Sequence, residues 1–269
     1  MSYSKYEHFK LEKELADKLR QSTLDERRVL YRQVYTDFFT RFPEVGEGLN
    51  ISKTDRLAWQ LKLMKPLLNK EKTVLEIGAG DCLVSKELCK HFKKVIGYEV
   101  ADSIPFIEGK PENFELKIFN GFDMHEQPGS VDIVYSNQVF EHLHPDDTAP
   151  LLRNYHTYLR KGGKVVIITP HIATGPHDVS RDFTKTPEGF HLKEYTYSEM
   201  SSLLKANGFH KIKGYIGYSK IGYYGVPVAL MSFAEKIYNL IPGALRRKLK
   251  NNSLVFNFFG LKIIAEKKN

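Results

Sequence analysis

The feature that most limits the fold is the run Thr73-Val74-Leu75-Glu76-Ile77, which passes without a spacer into Gly78-Ala79-Gly80-Asp81. A short, nearly continuous apolar run is the mark of a strand buried on both faces. Glycines directly after it let the backbone turn sharply and let a ligand approach where a Cβ would collide. The stretch that follows, 81–92, has helical spacing. Strand, glycine turn and helix in direct succession form the unit that offers free backbone N–H groups to an anionic ligand group. Alone, Gly-x-Gly is equally compatible with a structural tight turn, so its surroundings decide.

Those surroundings repeat the pattern. Short apolar runs at 73–77, 95–99, 114–119, 131–136 and 164–169 alternate with helical stretches that include 81–92 and 147–159. This alternation predicts a doubly wound α/β domain, a mostly parallel sheet with helices on both faces. Farther on, Thr196-Tyr197-Ser198-Glu199 is a capping box opening a helix that Gly208 closes, and strands are expected at 211–218 and 261–266. The segment 222–258 interrupts that last pair with its own helical pattern, Phe233, Ile237, Leu240 and Ile241. Upstream, apolar residues at three- and four-residue spacing (Leu30, Tyr31, Val34, Tyr35, Phe38, Phe39) predict helices, one starting at the capping box Thr23-Leu24-Asp25-Glu26 and stopping before Phe42-Pro43, another over 53–68. The expected organisation is a helical cap over 1–70 and an α/β domain over 71–269 with an insertion at about 222–258.

Charge narrows the partners only a little. The net charge of +8 is spread along the chain, with clusters at Lys90/Lys93/Lys94, Arg246-Arg247-Lys248-Lys250 and Lys267-Lys268. No element interleaves basic residues with aromatics, so nucleic acid is not an expected partner. The apolar insertion followed by Arg246-Arg247-Lys248 leaves peripheral membrane contact open beside a homodimer contact or a substrate lid. Cys82 and Cys89 fall in one expected helix, too far apart for a disulfide, and the N-terminus lacks a basic-then-apolar leader pattern; a reducing, cytoplasmic setting is the expectation.

The ligand of the glycine turn is a matter of elimination followed by fit. A dinucleotide fingerprint needs a third glycine where Leu83 stands, and no Gly-Lys-Ser/Thr phosphate loop occurs. Glu99 ends the second strand 19 residues after Gly80, where a carboxylate can accept from both hydroxyls of a ribose. The pair suits a nucleoside cofactor without a pyrophosphate. Taken together, Val74–Asp81, Tyr98-Glu99, Asn120-Gly121-Phe122-Asp123 and Asp132-Ile133-Val134-Tyr135-Ser136-Asn137-Gln138-Val139-Phe140-Glu141-His142-Leu143 resemble the successive motifs of class I, Rossmann-like S-adenosylmethionine-dependent methyltransferases in order and spacing. The resemblance implies a seven-stranded sheet whose two late strands form an antiparallel hairpin. It also implies S-adenosylmethionine as cofactor, with Glu76, Gly78 and Gly80 around its methionyl end, Glu99 on the ribose, Phe122 and Asp123 at the adenine and its amine, and Asn137 beside the sulfonium. Cys82 stands where many members carry another glycine, at little expected cost.

A second, looser resemblance links Gly175-Pro176-His177-Asp178-Val179-Ser180-Arg181-Asp182-Phe183, Gly189-Phe190-His191-Leu192-Lys193-Glu194-Tyr195-Thr196 and Tyr31-Arg32-Gln33-Val34-Tyr35 to bacterial glycan and secondary-metabolite methyltransferases, implying a hydroxyl acceptor on a small molecule or glycan. A hydroxyl must lose a proton, and histidine is the usual base near neutral pH. His142, His144, His171, His177 and His191 follow strands whose ends face the cofactor; His177 and His191 are the leading candidates, aided by Asp178 or Glu194, with His142 behind them. Glu141-His142 also resembles part of a Glu-x-x-Glu-His metal set in ubiquinone-pathway and small-RNA methyltransferases, with His171, His177 or His191 to complete it. Gln138 replaces the first carboxylate, so no metal is expected. Tyr31 and Tyr35 are placed to close over cofactor or acceptor. An RNA-directed methyltransferase and a non-catalytic scaffold of the same fold are the alternatives.

Overall fold

A computed structural model describes residues 4–42, 53–101, 109–218, 222–249 and 252–268. Helix α1 (Lys5–Gln21) is followed by α2 (Leu24–Arg41), which starts where the sequence predicts: Thr23 Oγ1 accepts from Glu26 N while Glu26 Oε2 accepts from Thr23 N at 2.7 Å. Then come α3 (Lys53–Met64), β1 (Asn69–Ile77), α4 (Leu83–Leu88), β2 (Phe92–Glu99), β3 (Phe114–Ile118), β4 (Val131–Asn137), α5 (Pro145–Tyr158) and β5 (Leu159–Thr169). The chain ends with α6 (Tyr197–Ala206), β6 (Phe209–Tyr218), β7 (Gly222–Pro227), α7 (Val228–Leu240), α8 (Gly243–Leu249), α9 (Ser253–Phe258) and β8 (Leu261–Lys267).

The sheet runs β3-β2-β1-β4-β5-β8-β6-β7. β1 to β5 are mutually parallel, β8 is antiparallel to β5 and β6, and β6 to β7. Eight strands replace the expected seven, because the insertion does not begin as a helix: Gly222–Pro227 folds back on β6 as an edge strand before α7 starts. β1 leads to β2 on one side and borders β4 on the other, with Ile77 beside Ser136. That reversal makes a crevice at the carboxyl ends of β1 and β4, where ligands of such sheets bind.

Two apolar clusters flank the sheet. One takes inward residues of α1 and α2 (Leu15, Leu19, Tyr31, Val34, Phe38) with Leu75, Val134 and Ile167; the other takes Leu63, Met64 and Leu67 with Val74, Leu88 and Ile133. The alternation within one strand, Val74 to one face and Leu75 to the other, is what a doubly covered sheet requires. α3 therefore belongs to the sheet's second face, and among the described residues the cap over the crevice consists of α1 and α2, without α3. A buried ion pair ties that cap down: Arg27 donates from Nε and Nη2 to the Asp147 oxygens, both at 2.7 Å, and Tyr31 Oη donates to Asp147 Oδ2 while accepting from His144 N, also at 2.7 Å. No described helix is long and apolar enough to cross a membrane.

Candidate active site

The glycine turn is built as its spacing demands. Gly78 and Gly80 have φ of +70° and +51°, in the left-handed region that L side chains enter at a cost. A Cβ on Gly78 would lie 2.6 Å from Val139 Cγ2, so the turn and the loop after β4 meet at a spot only glycine fits. Gly78 N and Ala79 N both donate to Tyr98 O, fixing the turn against the end of β2. Cys82 is also left-handed, at φ +51°. Its position therefore does call for glycine, and the small side chain does not spare the backbone strain. The helix after the turn is shorter than expected, Leu83–Leu88, and Leu83 N is already capped by Asp81 Oδ1. Its first turn is thus a poor holder for an anionic group.

Carboxylates dominate the turn instead. Glu99 Oε2 accepts from Gly80 N at 2.8 Å, and Oε1 accepts from Val100 N at 2.8 Å and Ala101 N at 3.2 Å. Burial pushes the Glu76 carboxyl up to about 8 against its hydrogen bond from Ser85 Oγ, with the charges of Asp81 and Glu99 adding to the rise. The Cys82 thiol is pushed up to about 12 by burial, then by Glu76, Glu99 and Asp81. With Glu76 largely protonated below about 8, the charge of the turn is that of Glu99 and Asp81, which suits a ligand with cationic centres and repels a pyrophosphate. Asn137, at the end of β4, keeps Oδ1 buried without a partner, an unmet acceptor facing the same crevice end of the sheet.

At the next strand end, Asn120 Oδ1 accepts from Phe122 N and Asp123 N, and Gly121 has φ +90°. Phe122 is buried against Tyr31 at 5.7 Å between ring centroids. Asp123 differs from expectation: Arg28 of α2 donates Nη1 to both of its oxygens, at 2.7 and 2.8 Å. Its carboxylate, held low by that contact and by Asn120, is tied to the cap and has only residual acceptor capacity.

Across the crevice the candidate histidines separate. Glu194 is the hub, accepting from His177 N at 2.6 Å and lying 3.1 Å from His177 Nδ1 and 2.8 Å from His191 Nδ1. Burial raises the Glu194 carboxyl, yet its two histidine partners outweigh that and bring it down to about 2. His177 has its other nitrogen 3.1 Å from Thr174 Oγ1, which leaves neither ring nitrogen open. His191 is nearly fully buried; burial opposes its charging, but Glu194, Glu141 and Asp178 together raise its pKa above the ordinary imidazole value. His142 donates Nδ1–H to Phe190 O at 3.1 Å, and burial plus the neighbouring His191 lower it to about 3. Glu141, His142 and His191 converge: one ligand atom from each of these three residues lies within 4.8 Å of the other two. Glu141 receives Thr169 Oγ1 on Oε2 at 2.8 Å, has Oε1 buried and unpartnered, and is pushed up to about 7 chiefly by burial. This trio is the set of described residues able to hold a metal ion.

One expected helper, Asp178, and two of the candidate histidines, His144 and His171, serve structure. Asp178 caps a short 3-10 turn through Ser180 and accepts from Gly189 N at 2.9 Å; His144 caps α5 from Asp146 N; His171 is buried in a 2.6 Å contact with Glu235 of α7. Tyr31 is committed to Asp147, whereas Tyr35 lies edge-on to His142 at 6.0 Å with its hydroxyl buried and unpartnered. Residues that the sequence did not single out hold the His191 loop from α1: Glu12 Oε2 accepts from Phe190 N, and Arg20 donates to Glu188 O and Gly189 O. No local pattern marks such contacts across nearly 180 positions.

Known proteins share this fold. An uncharacterised methyltransferase of Bacillus cereus is 27% identical over 190 residues, 67% of this chain and 90% of its own length. Among solved structures, phosphoethanolamine N-methyltransferase 1 of Haemonchus contortus, in complex with phosphoethanolamine and S-adenosylhomocysteine, superposes with a TM-score of 0.61 at 16% identity, over 92% of this chain and 50% of that one. The 1,6-didemethyltoxoflavin-N1-methyltransferase of Burkholderia thailandensis gives 0.56 at 14% identity, covering 92% of both chains. Residues 48–213 match the family model described as a methyltransferase domain, from α3 into β6, which takes in the glycine turn, β1 to β5 and the His177 and His191 loops but not the cap helices α1 and α2. The chain belongs to that methyltransferase family.

Proposed function

We propose that the protein transfers a methyl group from S-adenosylmethionine to a hydroxyl of a small molecule or glycan. The observation that carries the reading is the division of the crevice into two chemically distinct sides. On one side stand a negative glycine turn and an unmet Asn137 acceptor, and on the other buried His191 and half-buried His177, both held by the Glu194 carboxylate. Glu76, Gly78 and Gly80 would hold the methionyl end, Glu99 the ribose, Phe122 and Asp123 the adenine side, and Asn137 the neighbourhood of the sulfonium. Bound there, the cofactor supplies a methyl group on a good leaving group, open to in-line displacement. The residues of this chain then have to position the acceptor, exclude water and take its proton. His191 suits the last task. Glu194 fixes its Nδ1–H, which leaves Nε2 as the acceptor, and raises its basicity. His177 acts through Glu194 as a positioning residue, and His142, held neutral, lines the same space. Tyr35 supplies a hydroxyl aimed at that space from the cap.

The convergence of Glu141, His142 and His191 favours a second reading of the acceptor side: a divalent ion on these three groups would bind the acceptor oxygen and lower its pKa, replacing the free histidine base. A relative that acts on an amine, such as the phosphoethanolamine enzyme, shares the fold at an identity too low to carry its substrate over. The test is mass spectrometry of a cell extract incubated with protein and cofactor, seeking a metabolite that gains one methyl mass. Turnover abolished in His191→Ala supports the reading. Product methylated on nitrogen, or full activity in His191→Ala, overturns its acceptor half.

A further inference from the structure

α7 is apolar on two opposite sides. Val228, Met231 and Tyr238 are buried, Met231 beside Gly214 of β6 and Tyr238 against the Phe259 ring, while Leu230, Phe233, Ile237 and Leu240, spaced three and four apart, form a second stripe that is 57, 61, 51 and 83% exposed. Leu245 on α8 and Leu254 and Phe256 on α9 are also large, apolar and about half exposed or more, so half of the exposed large hydrophobic side chains among the described residues fall within 230–256. A soluble helix ordinarily turns its second face polar; one apolar all round is covered by something.

Charge indicates what covers it. Between 222 and 258 the one acidic residue is Glu235, and it is buried, engaged by His171 Nε2 and by the backbone N–H groups of Tyr197 and Ser198. The exposed rim is cationic, with Lys236 on α7 and Lys248 on α8. Beside Phe233, the groove between α6 and α7 is lined by Ser201, Ser202, Lys205 and Lys236, hydroxyls and ammonium groups that suit a phosphodiester headgroup. A second copy would bring one cationic rim against another with no carboxylate in the segment to answer it, which disfavours a symmetric dimer through this face.

From this we infer that the insertion, through α7 to α9, docks on an anionic lipid bilayer, its leucines and phenylalanines entering the interfacial region and its lysines meeting lipid phosphates. The arrangement is that of an interfacial amphipathic element: apolar side chains at the acyl boundary, cations at the headgroups. The docked face is joined to the acceptor side. Phe256 lies 5.9 Å from the His177 ring, and Phe259, just after α9, lies 4.9 Å from the His171 ring. Docking would therefore set the acceptor entrance beside the membrane; that consequence, unlike the docking itself, rests on the acceptor side proposed above.

The test is sedimentation of the full chain with vesicles of phosphatidylglycerol and phosphatidylcholine in equal parts, against phosphatidylcholine alone. The protein should pellet with the anionic vesicles and be released by raised salt. F233D with L240D should weaken partitioning about tenfold or more, and K236E with K248E should weaken it about thirtyfold or more. All four positions are exposed, so circular dichroism and S-adenosylhomocysteine binding should stay at wild-type level in both pairs; failure of that binding in the wild type would strike the proposed function and leave the vesicle result standing. Absence of pelleting with anionic vesicles, or unchanged pelleting in F233D with L240D, overturns the inference. So does a dimer that the same pair disperses while no vesicles are bound, which would make this face an interface between copies.

Discussion

Gly78→Ala isolates the claim that the turn after β1 is shaped by both backbone conformation and close approach. At φ +70° an alanine carries the left-handed penalty of about 1–2 kcal/mol. Its Cβ would also stand 2.6 Å from Val139 Cγ2, and forcing carbon into a packed contact costs about 1–3 kcal/mol. The sum, roughly 2–5 kcal/mol, is a large share of the stability of an ordinary domain. The two parts are separable, because Val139→Ala removes Cγ2 and leaves Cβ, which is 4.0 Å from the added atom. Urea denaturation of the wild type, both single variants and the double variant gives the coupling; a favourable coupling of about 1–3 kcal/mol, with a residual backbone penalty, is expected. S-adenosylhomocysteine affinity should fall with Gly78→Ala. A variant within about 0.5 kcal/mol of wild type, or a coupling of zero, would refute the reasoning.

Other outcomes follow from the same geometry. Asp147→Asn strips the charge from a fully buried partner of Arg27 and should lower stability by about 3–5 kcal/mol in thermal or denaturant unfolding, with no change in that of an Arg27→Met/Asp147→Leu pair beyond roughly 2 kcal/mol. If His191 is the base, it works deprotonated, and its pKa is raised; the rate should climb with pH through a value above 6.5, and Glu194→Gln, which removes the strongest of the groups that raise it and leaves Glu141 and Asp178, should shift that limb to lower pH while reducing kcat. The carboxyl of Glu194 is depressed from 4.5 to about 2, so its contribution to stability is present above the unfolded value and is lost as pH falls from 4.5 toward 2, measurable as a falling Tm that Glu194→Gln abolishes. Activity that survives exhaustive chelation supports a histidine base; activity lost to chelation and restored by a divalent ion, with Glu141→Gln also inactive, assigns the acceptor side to the metal.

Local chemistry made much of the molecule legible. Capping boxes at Thr23 and Thr196 act as read, and the apolar runs become strands within a few residues of the expected bounds, because a strand covered on both faces must be apolar throughout. The glycine turn and Glu99 likewise announce themselves by spacing. What escaped depends on distant partners. β7 carries Gly222, Gly225 and Pro227, a composition that argues against a strand, and it pairs only because β6 offers an edge. Asp178 and Glu194 look alike in sequence; topology alone makes one a cap and the other the hub of two histidines. Arg28 on Asp123 and α1 on the His191 loop join segments far apart in the chain.

Titration calorimetry of S-adenosylhomocysteine into the wild type and into Glu99→Ala, with Glu99→Gln to separate loop folding from charge, tests the central claim most directly. The account predicts binding by the wild type and a loss of about ten- to a hundredfold in Glu99→Ala, the worth of hydrogen bonds to a charged group. No binding by the wild type, or equal affinity in a folded Glu99→Ala, would contradict it.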